Sequence, residues 1–403
     1  MQRGGAVRTL AAIPNLDALF TARLHQGVRS ALADEQGEVT FNAPPVGAWT
    51  VGFDHGRVHL SRGRSRHARA VITADPATLA CVLEGQISGV AAYLDHGLTV
   101  RGDLALALQM DGAFDVGERP PSHPVVKAVN VLGARASYLE AGPADAPPVI
   151  LVHGLGATNA SMLPLVPDLA RDHRVLAPDF PGFGASSAPR WRYKPGDLAT
   201  WIMAFAESVG AVQPTLIGNS LGGRVALEVG MRMPDAVDRL VLLCPSPAFR
   251  RFRELAPLVR LVPPEALMAS PFVLPHRVVV TIIRTFFADP ERLPRPWYDS
   301  AADEFVRVMR DYRHRRAFYA AMRQIYLDEP YGEEGFWDRL PALGAPSLFV
   351  WGDRDWLVPF AFAEHVTRAL PQAESVVLPD CGHVPQFEFP DETANLIRTF
   401  LTS

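Results

Sequence analysis

Ser220 lies in the segment Gly218-Asn219-Ser220-Leu221-Gly222, which has the pattern Gly-x-Ser-x-Gly and could make this serine a nucleophile. A short apolar run, residues 215–217, comes before the segment, and apolar residues at helical spacing follow it. A serine in a tight turn between a strand and a helix presents its hydroxyl above the sheet, and glycines leave room for that turn. The sequence therefore predicts a nucleophile elbow, with the backbone N–H of Leu221 at a helix N-terminus as one donor to a developing oxyanion.

A glycine-rich loop after a second apolar run offers the other oxyanion donor. Residues 148–152 predict a buried strand, and His153-Gly154-Leu155-Gly156 follow it directly. A tetrahedral intermediate is stabilised by two N–H groups aimed at one oxygen, and a loop at a neighbouring strand end can place the second. We assign that donor to the backbone of Leu155, with Gly154 as the alternative, and we expect His153 to be structural.

A carboxylate and a histidine follow two further predicted strands. The run 346–351 leads into Asp353 and Asp355, and the run 375–378 leads into the loop that carries His383. A carboxylate can orient a histidine ring and stabilise its protonated form, so that the histidine can take the proton of a serine hydroxyl. We favour Asp355 as this acid and Asp353 as a turn residue, and the residues alone leave both open. The chain order serine, aspartate, histidine is the one expected when the serine lies in such an elbow.

As a set, these motifs resemble the α/β-hydrolase superfamily over about residues 125–403. The resemblance implies a mostly parallel sheet with a helical cap, and it implies these site residues: catalytic Ser220, Asp355 and His383, with Leu221 and Leu155 as oxyanion donors. Residues 179–184 look like the strand-end loop of the family, in which Asp179 is expected to be structural.

The resemblance also bears on the type of nucleophile and on the position of the acid. Members with an aspartate nucleophile, such as haloalkane dehalogenases and epoxide hydrolases, would carry aspartate at position 220, where this chain has serine. Other members carry the acid after the strand that follows the elbow helix. That strand is predicted at 239–243, and residues 244–249 contain no carboxylate.

The activity implied by the resemblance is a serine hydrolase that cleaves carboxylic esters of apolar or lipid-like substrates through an acyl-enzyme. Two alternatives stay open. One is a carbon–carbon bond hydrolase of the ring-cleavage-product type, whose members share the Gly-Asn-Ser elbow found at 218–220. The other is a lipid-binding protein whose hydrolase fold is catalytically silent. The loop at 153–156 looks more lipase-like, and a complete set of three site residues argues against the silent form.

Length, charge and cysteine content limit the classes of protein further. The 403 residues suit two domains, and a net charge of −4 gives no electrostatic case for binding nucleic acid. Cys81, Cys244 and Cys381 are too few and too scattered for a disulfide framework, and without a metal-binding motif we expect no metal or cofactor. We find no signal-peptide pattern and no spanning run of about 18 apolar residues, so the expected location is the cytoplasm. The oligomeric state stays open.

Residues 1–116 predict a small α+β domain of their own, joined by a proline-containing linker at 117–124 to the part that begins at 125. Helices are predicted at 16–32, 76–83 and 85–94, and strands at 38–41, 48–53, 57–60, 70–73 and 99–103. Residues 47–51, 72–75, 83–85 and 100–104 resemble the sterol carrier protein family of lipid-binding domains. The resemblance implies an apolar ligand between sheet and helices, and a filled core that serves assembly is the alternative.

A helical cap is predicted over about residues 245–340, where the alternation of strands and helices is interrupted. The segment is strongly apolar, with Val278, Ile282 and Phe286 in one stretch and Phe305 and Phe318 in a predicted helix at 303–327. So many apolar side chains predict a pocket for an acyl or alkyl group. Arginines flank them at 250, 251, 253, 313, 315 and 316, and together with the apolar cap they could meet a lipid surface. The expected partners are therefore an apolar small-molecule ester or lipid and, at the periphery, a membrane.

Overall fold

Two β-sheets organise the chain, one in the N-terminal third and one in the remainder. The computed structural model describes residues 14–24, 36–114, 123–248, 259, 261 and 273–403.

The N-terminal sheet has five strands in the order β3-β2-β1-β4-β5, antiparallel except for the parallel pair β1 and β4. Its strands are β1 (Gln36–Ala43), β2 (Gly47–Asp54), β3 (Arg57–Arg62), β4 (Ala70–Ala74) and β5 (Leu98–Gly102). Its helices are α1 (Leu16–Leu24), α2 (Pro76–Glu84), α3 (Gly89–Leu94) and α4 (Leu104–Ala113). Aromatic rings fill the space between α1 and the sheet: Phe20 lies 5.2 Å from Phe41 and 5.3 Å from Trp49, and Phe114 lies 5.5 Å from Phe41.

The five predicted strands of this domain are confirmed to within about two residues at each end, and the helix boundaries differ in one place. A helix from residue 85 to 94 was expected, but Gly85 has a φ of 76° and ends α2, and the next helix begins only at Gly89. The Ser88 hydroxyl accepts the N–H of Ala91 and caps that helix. The prediction from apolar spacing did not take this capping residue, or the glycine at 85, into account. The first helix is described as far as Leu24, and the rest of its predicted range, 25–32, lies outside the described residues.

The C-terminal sheet has eight strands in the order β13-β12-β11-β10-β8-β9-β7-β6. Its strands are β6 (Val125–Val131), β7 (Ala134–Ala141), β8 (Pro148–Val152), β9 (Arg174–Pro178), β10 (Thr215–Asn219), β11 (Leu240–Leu243), β12 (Ser347–Gly352) and β13 (Glu374–Leu378). Strands β8 to β13 pair in parallel, and β6 and β7 add an antiparallel edge. The carboxyl ends of the parallel strands therefore meet at one edge of the sheet, where ligands bind in sheets of this kind.

Helices flank this sheet and cover that edge. They are α5 (Val166–Leu169), α6 (Pro195–Ser208), α7 (Leu221–Arg232), α8 (His276–Arg284), α9 (Arg295–Arg310), α10 (Tyr312–Leu327), α11 (Phe336–Arg339), α12 (Ala361–Ala369), α13 (Pro385–Glu388) and α14 (Pro390–Thr402), with 3-10 turns at Asn159–Leu165, Pro234–Ala236 and Leu340–Ala342.

Between β11 and β12 the described residues form helices α8 to α11 and no strand, as the expected cap requires. The single helix predicted at 303–327 is wrong in one respect, because Asp311 divides it into α9 and α10. Asp311 adopts an extended conformation with ψ 122°, and its carboxylate accepts the N–H of Arg313. Aspartate is more favourable at an N-cap than inside a helix, so a new helix starts after Asp311. The arginines at 250, 251 and 253 lie outside the described residues.

A buried ion cluster ties the cap to α7, the helix that follows the elbow. Glu228, which is 1% exposed, receives hydrogen bonds from Arg224, Arg232 and Arg339. Arg224 also pairs with Asp328 at the end of α10, and its guanidinium carbon lies 3.9 Å from the centre of the Phe336 ring. Burial alone would raise the pKa of Glu228, but Arg339, Arg224 and Arg232 outweigh it and lower that pKa to about 2.

We expect Glu228→Ala to destabilise the protein by about 3 kcal/mol, because it leaves Arg224 buried with less compensating charge. Glu207→Ala, on the exposed surface of α6, is the matched control and should change stability by less than about 0.5 kcal/mol. Urea unfolding at neutral pH measures both. The contribution of Glu228 is present above its unfolded pKa of 4.5 and is lost as the pH falls toward 2, so the difference between wild type and Glu228→Ala should shrink over that window. A difference independent of pH would contradict the ionic role.

Candidate active site

Ser220 occupies a sharp turn between β10 and α7. Its φ is 55° and its ψ is −114°, a conformation that L-residues rarely adopt. Neighbouring glycines make the turn possible, since a Cβ on Gly218 would lie 2.3 Å from the carbonyl carbon of Gly222, and a Cβ on Gly222 would lie 2.1 Å from the Val152 oxygen. The turn has the geometry that the sequence pattern predicts for an elbow.

The structure brings Asp355 and His383 together at the same edge of the sheet. Asp355 Oδ2 lies 2.7 Å from Nδ1 of His383, and both residues are at least nine-tenths buried. The other oxygen, Asp355 Oδ1, accepts the N–H groups of Leu357 and Val358 at 2.9 Å each. These two bonds hold the carboxylate in one orientation through Oδ1. Oδ2 is left to bond the histidine ring and orient it.

Asp353 is not placed for that role. It is exposed, and its carboxylate accepts the N–H of Cys381 at 3.3 Å, which makes it a connection between the two loops. Of the two aspartates that the sequence left open, only Asp355 contacts His383 among the described residues.

His383 keeps its other ring nitrogen available. Nε2 is buried and forms no hydrogen bond with a described residue. Because Nδ1 faces the Asp355 carboxylate and carries the proton of that bond, Nε2 of the neutral ring has a free lone pair. A nitrogen in this state can accept a proton from a hydroxyl placed next to it.

Asn219 joins the elbow to the histidine loop, a connection that the sequence analysis missed. Its side-chain N–H₂ donates to the carbonyl oxygens of Leu243, at 3.0 Å, and His383, at 3.1 Å. The residue before the serine is thus a strut between β10, β11 and the loop after β13. In the sequence, the only sign that Asn219 has a role is its position directly before Ser220 in the Gly-Asn-Ser motif.

Both expected oxyanion donors lie beside the serine turn with their N–H groups unused. Leu221 is the first residue of α7, and its N–H, like that of Leu155, donates to no described residue. The loop of Leu155 approaches the serine closely, because a Cβ on Gly154 would lie 3.3 Å from the Ser220 Cβ. Free amides at a helix start and in an adjoining loop are suited to binding a negatively charged oxygen.

His153 supports this loop and takes the structural place expected of it. Its Nδ1 lies 2.8 Å from the Gly154 oxygen, and its Nε2 accepts the N–H of Phe180 at 3.0 Å. Complete burial lowers its pKa to about 4, so the ring stays neutral. Asp179 has a comparable role in the next loop, where its carboxylate accepts the N–H groups of Asn159 and Ala185, and burial raises its pKa to about 7.

Glu388 holds the histidine loop against the cap, a role that no motif in the sequence indicates. Its carboxylate accepts the N–H of Gly382 at 2.7 Å and, from the segment after α8, the N–H of Ala288 at 2.8 Å. Burial raises its pKa, opposed by these backbone bonds and by Arg292. Gly382, the residue preceding His383, is therefore joined through Glu388 to the cap segment after α8.

Cys244, Asp355 and His383 form a group whose possible ligand atoms lie within 4.8 Å of one another. The donor set does not suit a metal, because burial raises the pKa of the Cys244 thiol well above its usual value and keeps it protonated. Asp355 and His383 already use the facing atoms for their mutual bond. Cys244 follows β11, the position that carries the acid in some relatives, and here it packs against the acid supplied by β12.

An apolar pocket opens beside the loop that follows β8 and carries Leu155. Its lining consists of Gly156, Ala157, Thr158, Gly182, Phe183, Phe305, Val308, Met309, His314 and Phe318. A Cβ on Gly156 would lie 3.0 Å from the Phe318 ring and 3.3 Å from the Phe305 ring, so the cap touches the loop directly. Burial lowers the pKa of His314, which keeps this lining residue neutral. Cap residues therefore form an apolar wall beside this loop, and a pocket for an acyl or alkyl group stays a prediction.

Comparison with known families agrees with this architecture. Residues 147–390 match the family model described as the alpha/beta hydrolase fold, and the chain belongs to this family. Residues 20–115 match the SCP-2 sterol transfer family. The protein is thus an α/β hydrolase that carries an SCP-2-type domain at its N-terminus.

Relatives of the hydrolase part fall into more than one activity. The chain is 28% identical over 304 residues to 2-hydroxy-6-oxo-6-(2'-aminophenyl)hexa-2,4-dienoic acid hydrolase of Metapseudomonas resinovorans, covering 73% of this chain and 96% of that protein. It is 30% identical over 261 residues to pimeloyl-[acyl-carrier protein] methyl ester esterase of Aeromonas hydrophila, covering 63% of this chain and 95% of that protein. The crystal structure of a bacterial membrane phospholipase A is similar with a TM-score of 0.59 and 26% identity, over 81% of this chain and 94% of that one.

A helix that crosses a bilayer must be both about 20 residues long and predominantly apolar. None of the helices in the described part of the chain meets both requirements.

We expect Asp355→Asn to slow the reaction of Ser220 with a fluorophosphonate probe by about a thousand-fold or more, because the histidine loses the partner that fixes its tautomer. Asp353→Asn is the matched control, with the same chemical change two positions away in the sequence, and should leave the rate unchanged. Labelling rates followed by mass spectrometry measure both variants. Equal losses in the two, or a loss only in Asp353→Asn, would overturn the assignment of Asp355.

Proposed function

We propose that this protein is a serine hydrolase that cleaves carboxylic esters of apolar or lipid-like substrates through an acyl-enzyme. The observation that carries the proposal is the Asp355–His383 pair, fixed at 2.7 Å by a carboxylate that two backbone amides orient. Such a pair beside a serine held in a strained turn has the roles needed to activate a hydroxyl.

In the proposed reaction, the Ser220 oxygen attacks the ester carbonyl while His383 Nε2 takes the hydroxyl proton. The resulting imidazolium is stabilised by Asp355, and the oxyanion is stabilised by the N–H groups of Leu221 and Leu155. Collapse of the intermediate expels the alcohol, to which His383 returns the proton. Water then repeats the sequence on the acyl-enzyme, with the same proton transfers, and releases the acid and free Ser220.

The apolar lining of the pocket supports an apolar acyl group in the substrate. Phe305, Met309 and Phe318 lie beside Gly156, the residue that follows the proposed donor Leu155. An acyl chain whose carbonyl oxygen lies between the two donors could extend along this wall. Two named relatives, an esterase and a phospholipase, act on substrates of this general chemistry.

A carbon–carbon bond hydrolase is the second candidate, because one relative of 28% identity carries a name of that kind. In that reaction His383 would still move protons, but the bond broken would join a carbonyl carbon to carbon. The neutral His314 and Thr158 give the pocket two polar groups that could contact the additional carbonyl or hydroxyl of such a substrate. For the N-terminal domain, membership of the SCP-2 family supports an apolar ligand, which we also propose.

The decisive test of the nucleophile compares Ser220→Ala with Ser347→Ala. Ser347 is a buried serine at the opposite end of β12, so its substitution makes the same change away from the strand-end edge. We expect probe labelling and ester turnover to vanish in Ser220→Ala and in His383→Ala, and to persist in Ser347→Ala. Labelling that survives in Ser220→Ala would contradict the proposed nucleophile.

Substrate class is tested with wild-type protein on a series of p-nitrophenyl esters and on a vinylogous diketone. We expect kcat/KM to rise by up to about four-fold for each buried methylene until the pocket is filled, because each contributes about 0.8 kcal/mol of transfer free energy. Faster turnover of the diketone than of every ester would favour the carbon–carbon hydrolase. A flat profile across the esters would contradict the apolar acyl pocket.

A further inference from the structure

Helix α9 of the cap has two faces that contact different parts of the molecule. Ser300, Asp303, Glu304 and Arg307 follow the spacing of one helical face, and this face contacts the N-terminal domain. Phe305, Val308 and Met309 lie on the other side and line the apolar pocket beside the oxyanion loop. One rigid element is therefore both the docking surface of the N-terminal domain and a wall of the pocket.

The docking contacts are specific polar bonds. The Asp303 carboxylate receives Nε of Arg101 at 2.6 Å and the backbone N–H of Gly102 at 2.9 Å, both at the end of β5. Glu304 Oε2 receives the N–H of Leu104 at 3.2 Å, and the Ser300 hydroxyl donates to the Val100 oxygen. Bonds from four of the five positions between Val100 and Leu104 define the position of α9 along its axis as well as its rotation.

Buried charges strengthen this interface. Arg307 lies between Glu304, to which its Nη2 donates at 2.6 Å, and Asp103 of the N-terminal domain, whose Oδ1 lies 3.4 Å from its Nε. Asp103 and Glu304 are each 3% exposed. Separating the two parts would break the contact between Arg307 and Asp103, whereas Asp103 would keep Arg69 of its own domain and Glu304 would keep Arg307 of its own helix.

An aromatic stack extends the contact toward the histidine loop. Tyr93 of the N-terminal domain stacks on Trp297 at 4.7 Å between ring centres, and Trp297 meets the edge of Phe387 at 5.2 Å. Phe387 is four residues beyond His383 and belongs to α13, the short helix that also supplies Glu388. The start of α9 is thus held between the N-terminal domain and the support of the histidine.

We propose that the N-terminal domain acts as a clamp on α9 and thereby sets the substrate specificity of the hydrolase site, by fixing the wall of the acyl pocket. This assignment rests on the proposed esterase function for its kinetic consequence, but the clamp itself is a statement about the position and stability of α9. Ring contacts among Phe20, Phe41, Trp49 and Phe114 pack α1 on the sheet of this domain. Specificity for long acyl chains then depends on residues about 200 positions away in the sequence.

The test uses two variants of the full chain that weaken the interface without touching the pocket or the proposed catalytic residues. Arg101→Glu replaces an ion pair with two like charges at a half-exposed position, and Ser300→Trp places a bulky ring between α9 and β5. Arg57→Glu is the matched control: it makes the same charge reversal on β3, at the opposite edge of the same sheet.

Hydrogen exchange and ester kinetics provide two separate measurements. We expect faster exchange of the α9 amides in Arg101→Glu and Ser300→Trp, and wild-type exchange in Arg57→Glu. The ratio of kcat/KM for a dodecanoyl ester to that for an acetyl ester should fall about ten-fold in the two interface variants, which is roughly the discrimination carried by a methylene-sized contact. Fluorophosphonate labelling of Ser220 should continue in all three.

The outcomes separate the two proposals. A wild-type protein that neither labels nor cleaves esters would refute the proposed function, and hydrogen exchange would still decide whether the clamp exists. Exchange of α9 in both interface variants that matches wild type would overturn the clamp. Faster exchange of α9 combined with an unchanged chain-length ratio would overturn its role in specificity.

Discussion

The turn at Ser220 is the constraint on which the rest of the site depends. Its backbone can follow β10 into α7 only because positions 218 and 222 carry no side chain, and a Cβ at either would overlap backbone atoms. This close approach brings the start of α7 against the end of β8, and so it sets the Leu221 amide beside the loop of Leu155. The tight turn therefore places the Ser220 hydroxyl and the Leu221 and Leu155 amides at the edge of the sheet that also carries the histidine loop.

Two further interactions transmit that placement to the cap. Asn219 bonds the turn to the loop of His383, and Glu388 bonds the same loop to the segment after α8. On the other side of α7, the Arg224–Glu228 pair reaches Asp328 at the end of α10 and Arg339 of α11. The cap is therefore attached to the elbow and the histidine loop at two places, after α8 and at α10 and α11, and the N-terminal domain adds a third attachment along α9.

Much of this site could be predicted from sequence because it lies at strand ends, which short apolar runs reveal. The turn glycines around Ser220 and the serine, aspartate, histidine order identified the edge where chemistry would be placed. Which of Asp353 and Asp355 bonds the histidine depends on which of them is buried. The sequence does not show this for two turn residues that are separated by one position. Asn219, Glu388 and Cys244 act through contacts between loops far apart in sequence, and the docking of α9 on β5 joins residues about 200 positions apart. The helix predicted at 303–327 is divided at Asp311 by a local capping bond. Helical periodicity of the apolar residues continues through that position, so the sequence pattern did not reveal the break.

The most direct test of the account is a crystal structure of the wild-type protein after reaction with a fluorophosphonate, whose tetrahedral phosphorus imitates the intermediate of acyl transfer. The account predicts that phosphorus is bonded to Ser220 Oγ and that its unesterified oxygen lies about 3 Å from the amide nitrogens of both Leu221 and Leu155. His383 Nε2 should face the serine oxygen with its bond to Asp355 intact. An adduct on another residue, or an oxygen turned away from both amides, would contradict the proposed mechanism.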